Sequence, residues 1–232
     1  KYLMSQNLLK RIITSIILLI LLFFINFSHQ YIFILSILLL GIVICIEANN
    51  MFAKLILLQS SKKNSLSKSF NPKFFILNIM TFFYIFFVFC ALSYELHRLE
   101  GPIFFLYIIS ICFFTDIGGY VFGKLLGGKK LSKISPNKTI SGTIGSFIFS
   151  IVPLIIFLNL GYLNLGFESK NILLCLIVSL ISQLGDLSIS YFKRKAKIKD
   201  TGRLLPGHGG VLDRVDGIIF AIPFTYLLLK LF

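Results

Sequence analysis

The chain has 232 residues, of which 56% are hydrophobic and 14% are charged. A soluble domain has about 45–50% apolar and about 25% charged residues, so this composition excludes an ordinary soluble globular protein. The formal net charge of +14 does not indicate nucleic acid as a partner, because the basic residues are spread over four connections. We therefore predict an integral membrane protein that binds no nucleic acid.

Apolar segments recur from one end of the chain to the other. Seven can be drawn, at residues 12–27, 31–52, 74–92, 102–115, 143–160, 171–192 and 216–231. Several are shorter than the ~20 residues that a straight helical crossing needs, so short or broken helices are expected. The predicted fold is all-α and polytopic, with about seven spans in a single membrane domain over residues 1–232.

The basic residues alternate between the connections. Those after the second, fourth and sixth segments hold 5, 5 and 7 Lys or Arg residues, whereas those after the first, third and fifth hold 0, 1 and 1. By the positive-inside rule, the N-terminus and the three basic loops face the cytoplasm, with the protein in the cell inner or plasma membrane.

Asp186 lies inside the sixth segment, where an ionised carboxylate costs several kcal/mol unless it faces a polar cavity. If this segment is helical, one face of it carries five polar residues, with Gln183 beside them: Ser179, Ser182, Asp186, Ser190 and Lys193. A polar seam between helices would explain the serines but not the carboxylate. We therefore predict that Asp186 has a partner and that this face carries a site.

The stretch from Ser190 to Asp216 reads "SYFKRKAKIKDTGRLLPGHGGVLDRVD". Gly207, Gly209 and Gly210 would let backbone N–H groups approach a ligand closely, which suits a phosphate. Asp213 and Asp216 stand three residues apart where the last helix is predicted to start, so both can face the same way. Carboxylates that converge in a basic pocket need a cation, and Mg²⁺ fits better than zinc because the Cys and His spacing of a zinc site is missing.

A second glycine-rich stretch, "TDIGGYVFGKLLGGKKLSKISPNKTISG", runs from Thr115 to Gly142 and is predicted to lie on the same side. It opens with Asp116 and contains four lysines after its glycines, but it has no Walker P-loop spacing. Glu47 lies near the cytoplasmic end of the second segment, where it is either interfacial or part of a site.

These motifs resemble the phosphatidate cytidylyltransferases, also called CDP-diacylglycerol synthases. The family's terminal pattern is met at every fixed position, by Ser190, Lys193, Arg194, Lys199, Asp200, Gly202, Leu205, Pro206, His208, Gly209, Gly210, Asp213, Arg214 and Asp216. The middle loop resembles the family's Asp-x-x-Ala/Gly-Tyr…Gly-Lys…Ile-Ser-Pro-x-Lys-Thr region. There, Ile140 and Ser141 stand where the family usually has an aromatic residue and Glu.

The resemblance implies transfer of cytidylyl from CTP to phosphatidate in the membrane, giving CDP-diacylglycerol and pyrophosphate. It places N-terminal helices in residues 1–114 and the catalytic half in residues 115–232. It implies Mg²⁺ and leaves open a second, monovalent cation (K⁺) and a homodimer. The metal ligands it implies are Asp186 and Asp213, sharing one centre, with Asp216 as a further candidate.

The same resemblance implies roles for the remaining polar residues of the two loops. The catalytic residues would be Asp186, Asp213, Lys193 and Arg214, and the substrate-binding residues Asp116, Lys138, Ser190, Arg194, Lys199, Asp200, His208, Gly209 and Gly210. Two of these roles stay open, because His208 can equally shape the turn and Asp200 can equally orient a lysine.

Three other readings of such a chain are disfavoured. A CTP-dependent polyprenol or phytol kinase would direct attack at the γ-phosphorus, and the complete terminal pattern argues against it. The aspartate array of a CDP-alcohol phosphotransferase is absent. A secondary transporter would explain a buried Asp and basic loops, but it predicts an inverted repeat that the sequence does not show.

Overall fold

A computed structural model describes residues 2–61, 72–131, 135, 138–162, 168–207 and 209–231. These residues form nine α-helices and one π-helical stretch, Tyr84–Cys90. The helices are α1 (Tyr2–Asn26), α2 (Gln30–Ser61), α3 (Pro72–Phe83), α4 (Ala91–Leu126), α5 (Ile140–Ser150), α6 (Val152–Asn159), α7 (Ser169–Lys195), α8 (Leu212–Val215) and α9 (Ile218–Leu231). Because β-structure in the described residues is limited to two isolated bridges, the all-α prediction is confirmed.

Each of the seven apolar segments is largely helical. Within the described ranges, four helical runs are long and apolar enough to cross a membrane: Gln30–Leu58, Pro72–Leu126, Ile140–Asn159 and Ser169–Lys195. Arg11–Asn26 is apolar but shorter. The protein is thus an integral membrane protein by the length and apolarity of its helices, and the number of about seven spans stays a prediction.

The run Pro72–Leu126 holds two of the predicted segments and is broken at Gly101. Gly101 has φ 84° and ψ 170°, a backbone conformation that residues with a Cβ rarely adopt, and Pro102 follows it. Proline has no N–H to donate to the preceding turn, so the two residues together interrupt the helix. A second interruption, at Ile151, divides the predicted segment 143–160 into α5 and α6.

The helices are grouped into two compact units. The first contains residues 1–91 and 192–215, and the second contains residues 92–191 and 216–232. In the first unit, Phe33, Ile44 and Met51 of α2 and Phe89 of the π-helical stretch are buried in the core. Gly41 permits this packing, because a Cβ there would lie 2.9 Å from the Cys90 sulfur.

In the second unit, small residues bring α4 and α5 into close contact. A Cβ on Gly145 would collide with the Phe122 side chain and lie 2.8 Å from the Gly118 carbonyl oxygen. Next to this contact, the Ser146 hydroxyl donates to the Thr115 carbonyl at 2.8 Å. Close backbone approach and hydrogen bonds between helices are typical of packing in membranes, where apolar side chains gain little by leaving lipid.

This packing predicts the effect of a bulky residue at Gly145. Gly145→Leu would force α4 and α5 apart, and overpacking of this kind costs about 1–3 kcal/mol of stability. We expect a lower thermal unfolding midpoint and less monodisperse protein after detergent extraction. Ile144→Leu is the matched control, because the neighbouring Ile144 side chain is exposed. Equal midpoints for the two variants would contradict the close contact.

Candidate active site

The basic loop, residues 196–211, connects α7 to α8 and folds into a closed turn. Leu205 and Gly209 exchange two backbone hydrogen bonds, of 3.0 Å and 3.2 Å, around Pro206 and Gly207. Gly207 has φ 78° and Gly209 has φ 86°, so both positions favour glycine over residues with a Cβ. His208, a predicted substrate contact, lies outside the described residues.

The tip of the basic loop is held by α1. The Arg11 side chain donates to the Gly207 carbonyl at 3.0 Å, and the Thr14 hydroxyl lies 3.5 Å from the Pro206 carbonyl. α1 thus supplies hydrogen-bond donors to two carbonyl groups of the turn.

Asp213 lies at the base of the basic loop, in the first turn of α8, and is surrounded by donors. Its Oδ1 accepts from Lys193 Nζ at 2.9 Å, and its Oδ2 accepts from the N–H groups of Thr201 at 2.8 Å and Gly210 at 3.0 Å. The side chains of Lys193 and Asp213 are only 11% and 5% exposed. The structure thus brings together two of the residues that the sequence analysis assigned to catalysis.

These donors decide the charge of Asp213. Burial by itself would raise the pKa of this carboxyl, but the bonds from Lys193 and the two N–H groups outweigh it, so the pKa of Asp213 is below its ordinary value. A lowered pKa means that the stabilisation is present above the ordinary Asp pKa of about 3.9 and is lost as the pH falls through the lowered value. At neutral pH Asp213 is therefore a carboxylate.

The N–H groups of Gly209 and Gly210 do not point where the sequence analysis expected. The Gly209 N–H donates to the Leu205 carbonyl and the Gly210 N–H donates to Asp213. Both N–H groups are thus bonded within the protein rather than presented to a ligand. Gly210 is required for close approach, because a Cβ there would collide with Thr201 and Glu47.

Glu47 is a residue whose role the sequence left open. It comes from α2, is 5% exposed, and accepts from the Thr201 hydroxyl at 3.1 Å and the N–H groups of Val211 at 3.1 Å and Leu212 at 2.8 Å. The carboxylate is therefore buried against the basic loop and is not a solvated surface group. Its signal in the sequence was an acidic residue inside an apolar run.

In the second unit, Asp186 forms an ion pair with Lys138 and accepts from the Ser190 hydroxyl at 3.2 Å. The prediction that Asp186 has a partner is confirmed. Lys138 is positioned by the loop before α5, whose ends are joined by hydrogen bonds from Leu131 N to Lys138 O at 2.8 Å and from Ile140 N to Lys129 O at 3.0 Å.

The serines of the predicted stripe on α7 form a polar seam. Ser179 is fully buried and accepts from the Thr115 hydroxyl at 3.0 Å and from Gln183 Nε2 at 3.2 Å. Ser182 is also buried. The helix-joining role that the sequence analysis considered for these serines therefore applies, whereas Ser190 is engaged with Asp186.

Ser141, which stands where the related family usually has Glu, is part of the second glycine-rich loop. Its hydroxyl donates to the Gly127 carbonyl and lies 3.0 Å from the Thr139 hydroxyl. Thr139 in turn caps α5 by accepting from the Gly142 N–H at 3.1 Å. Position 141 thus contributes to the local fold of this loop.

Six predicted site residues remain, of which five are exposed and the sixth is Asp216. Asp116, Arg194, Lys199, Asp200 and Arg214 are exposed. Asp216 does not lie on one continuous helix with Asp213 as expected, because α8 ends at Val215 and Asp216 Oδ1 accepts from the Gly217 N–H at 3.0 Å. Such a bond from a side chain to a nearby N–H competes with helix continuation.

The aspartates were also expected to hold a metal ion. Among the described residues, no group of three or more His, Cys, Asp and Glu side chains is arranged to do so. Asp186 belongs to the second unit and Asp213 to the first, so a centre that they share stays a prediction. Carboxylate oxygens are the hard ligands that Mg²⁺ prefers, and in this structure each of these aspartates is paired with a lysine.

Known proteins are similar to much of this chain. It is 45% identical over 133 residues to a phosphatidate cytidylyltransferase of Staphylococcus haemolyticus, an alignment of 57% of this chain and 51% of that protein. It is 47% identical over 135 residues to one from Staphylococcus aureus, with the same coverage. The chain spans about half the length of the curated relatives it matches.

A family model described as the cytidylyltransferase family matches residues 50–232, which is more than half of the chain. The matched region contains both glycine-rich loops, all the predicted site residues and the Lys193–Asp213 pair. The resemblance found in the sequence is therefore confirmed, and the chain belongs to the cytidylyltransferase family.

Proposed function

We propose that this protein transfers the cytidylyl group of CTP to phosphatidate, giving CDP-diacylglycerol and pyrophosphate. The observation that carries the proposal is the buried Lys193–Asp213 pair, since the terminal motif of the family folds here around an ionised carboxylate. The relatives' names and an apolar helical chain suited to a lipid substrate support it.

The proposed reaction is one in-line displacement. An oxygen of the phosphatidate phosphate forms a bond to the α-phosphorus of CTP, and the bond from that phosphorus to the bridging oxygen breaks. Pyrophosphate leaves with the electron pair. The attacking phosphate is already ionised, so a strong general base is unnecessary and the enzyme's main task is positioning and charge stabilisation.

Side chains of the first unit suit that task. Arg194, Lys199 and Arg214 are exposed near the ends of the basic loop, where they would contact the nonbridging and leaving oxygens of the nucleotide. Lys193 instead donates to Asp213, and Asp213 also accepts from two N–H groups of the basic loop. A cation that is already bonded can still interact with a second anion, since an ammonium has three donors.

We propose Mg²⁺ as the cofactor, and the family resemblance leaves open a second, monovalent cation (K⁺). Asp186 and Asp213 are the residues that would hold Mg²⁺, with Asp216 as a further candidate, because Mg²⁺ is usually bound by one or two carboxylates and substrate phosphates. When bound, Mg²⁺ would offset the charge that develops on the phosphate oxygens.

The orientation is also a proposal: the three basic connections face the cytoplasm, as their Lys and Arg counts of 5, 5 and 7 indicate. In intact cells, a membrane-impermeant maleimide should label Lys170→Cys but not Lys130→Cys. After permeabilisation both should react. Strong labelling of Lys130→Cys from outside would contradict this orientation.

The activity proposal predicts a large effect at Asp213. Asp213→Asn removes the charge that neutralises buried Lys193 and replaces one acceptor oxygen by a donor. We expect transfer to fall by at least 100-fold, about 2.7 kcal/mol in barrier height. The assay uses labelled CTP, phosphatidate in mixed micelles and Mg²⁺, and scores CDP-lipid and pyrophosphate per amount of monodisperse protein.

The matched control for this variant is Glu100→Gln, which changes an exposed carboxylate outside both loops. It should retain the rate of the unaltered protein. If Asp213→Asn also retains it, the proposed role of the Lys193–Asp213 pair is wrong. If neither the unaltered protein nor the control forms CDP-lipid, the proposed function itself fails.

The ion pair in the second unit predicts a change in the Mg²⁺ concentration that the reaction needs. Asp186→Asn keeps the size of the side chain but removes the charge that Lys138 faces and that Mg²⁺ would use. We expect the Mg²⁺ concentration for half-maximal transfer to rise at least tenfold, while the yield of monodisperse protein stays the same. Poor accumulation with an unchanged Mg²⁺ requirement would instead show that Asp186 is structural.

A further inference from the structure

Glu47 is a buried carboxylate that the proposed chemistry does not use. It belongs to α2, at least 154 residues away in sequence from each of its partners, and it accepts three hydrogen bonds from the basic loop and the start of α8. Its exposure of 5% excludes direct access of a large substrate to its oxygens. Burying the Glu47 carboxylate is costly, so its role has to be sought in the groups that it binds.

The partners of Glu47 lie on both sides of the loop's neck. Thr201 is where the chain enters the closed turn, and Val211 and Leu212 are where it returns and begins α8. Two glycines make room for the carboxylate, because a Cβ on either Gly202 or Gly210 would collide with Glu47. Glu47 therefore ties together two segments that sequence proximity alone would not hold.

The same two segments also bind Asp213. The Thr201 hydroxyl donates to Glu47 while the Thr201 N–H donates to Asp213 at 2.8 Å. On the returning side, the Gly210 N–H donates to Asp213, and the next two N–H groups along the chain donate to Glu47. Any displacement of the neck at Glu47 thus moves the donors that orient Asp213 and, through it, Lys193.

We propose that Glu47 is a positioning residue, which clamps the neck of the basic loop and thereby fixes the Lys193–Asp213 pair without touching substrate. The catalytic consequence rests on the proposed function, whereas the clamp itself does not. Residues held through a chain of hydrogen bonds of this kind act on the geometry of the reacting groups, so their loss affects turnover more than substrate binding.

The chemistry of the clamp requires a carboxylate. Two backbone N–H groups donate to different oxygens of Glu47, so each oxygen has to be an acceptor. Glutamine has one acceptor oxygen and an NH₂ group, and one of the two N–H groups would then face another donor. Aspartate keeps both acceptor oxygens on a shorter side chain, so it should restore part of the function.

The clamp is tested first without any activity measurement, by limited trypsin digestion of the full-length protein in detergent. Arg203 is exposed within the basic loop, and cleavage there requires the loop to open locally. Cleavage after Arg203, followed by mass spectrometry, should be at least tenfold faster in Glu47→Gln than in the unaltered protein. Glu47→Asp should fall between them, and Glu100→Gln should match the unaltered protein.

The positioning role is then tested by kinetics on the same samples. For Glu47→Gln we expect kcat to fall at least tenfold, KM for CTP to change less than threefold, and the thermal midpoint to stay within a few degrees. Partial recovery of kcat in Glu47→Asp would support the proposal, because a purely structural role would change the midpoint and the amount of folded protein instead.

Several results would overturn the inference. Unchanged cleavage after Arg203 in Glu47→Gln would show that Glu47 does not hold the loop, and faster cleavage with a normal kcat would show that the clamp does not position the pair. If Glu47→Gln does not accumulate, Glu47→Asp and Thr201→Val replace it, and unchanged cleavage and kcat in both would overturn the proposal. Absence of transfer by the unaltered protein would reject the proposed function and, with it, the catalytic consequence, while the digestion still decides the clamp.

Discussion

The arrangement of the candidate site depends on one constraint, the cost of removing ionised carboxylates from water. That cost is several kcal/mol for each ion unless opposite charges and hydrogen bonds compensate for it. Asp213 is compensated by Lys193 and two N–H groups, and Glu47 by a hydroxyl and two N–H groups. Most of these donors belong to the basic loop, so the demand of the two carboxylates for partners determines how that loop folds.

The glycines of the basic loop allow the backbone to fold around these carboxylates. Gly207 and Gly209 supply the positive φ angles that close the turn, and Gly210 leaves room for Glu47 and Thr201. Backbone N–H groups that a phosphate loop could direct at its ligand donate here to Asp213 of α8 and Glu47 of α2. If the protein binds CTP as proposed, exposed cations such as Arg194 and Lys199 are better suited to contact its phosphates than these N–H groups.

The second unit applies the same principle within an apolar helix. Asp186 lies in α7, a run long and apolar enough to cross a membrane, and it is compensated by Lys138 and Ser190. Toward the N-terminal end of α7, Ser179 and Ser182 are buried, and Ser179 accepts a hydrogen bond from Thr115 of α4. A single polar stripe on α7 therefore has a packing end and a charged end, and its charged end contains the residues proposed to act on substrate and metal.

Composition and residues close together in the chain were enough to predict the membrane class, the helical segments and the family. The cost of a charge inside an apolar run also indicated Asp186, whereas the terminal motif indicated Lys193 and Asp213. The structure was needed to show that Lys193 pairs with Asp213, that Lys138 pairs with Asp186, and that Glu47 contacts Thr201 across 154 residues. The sequence pattern also did not predict that α8 ends before Asp216, because this end depends on the hydrogen bond from the Gly217 N–H to the Asp216 side chain. Periodicity shows which face of a helix a residue occupies, but the partner that compensates a buried charge depends on which distant segment packs against that face.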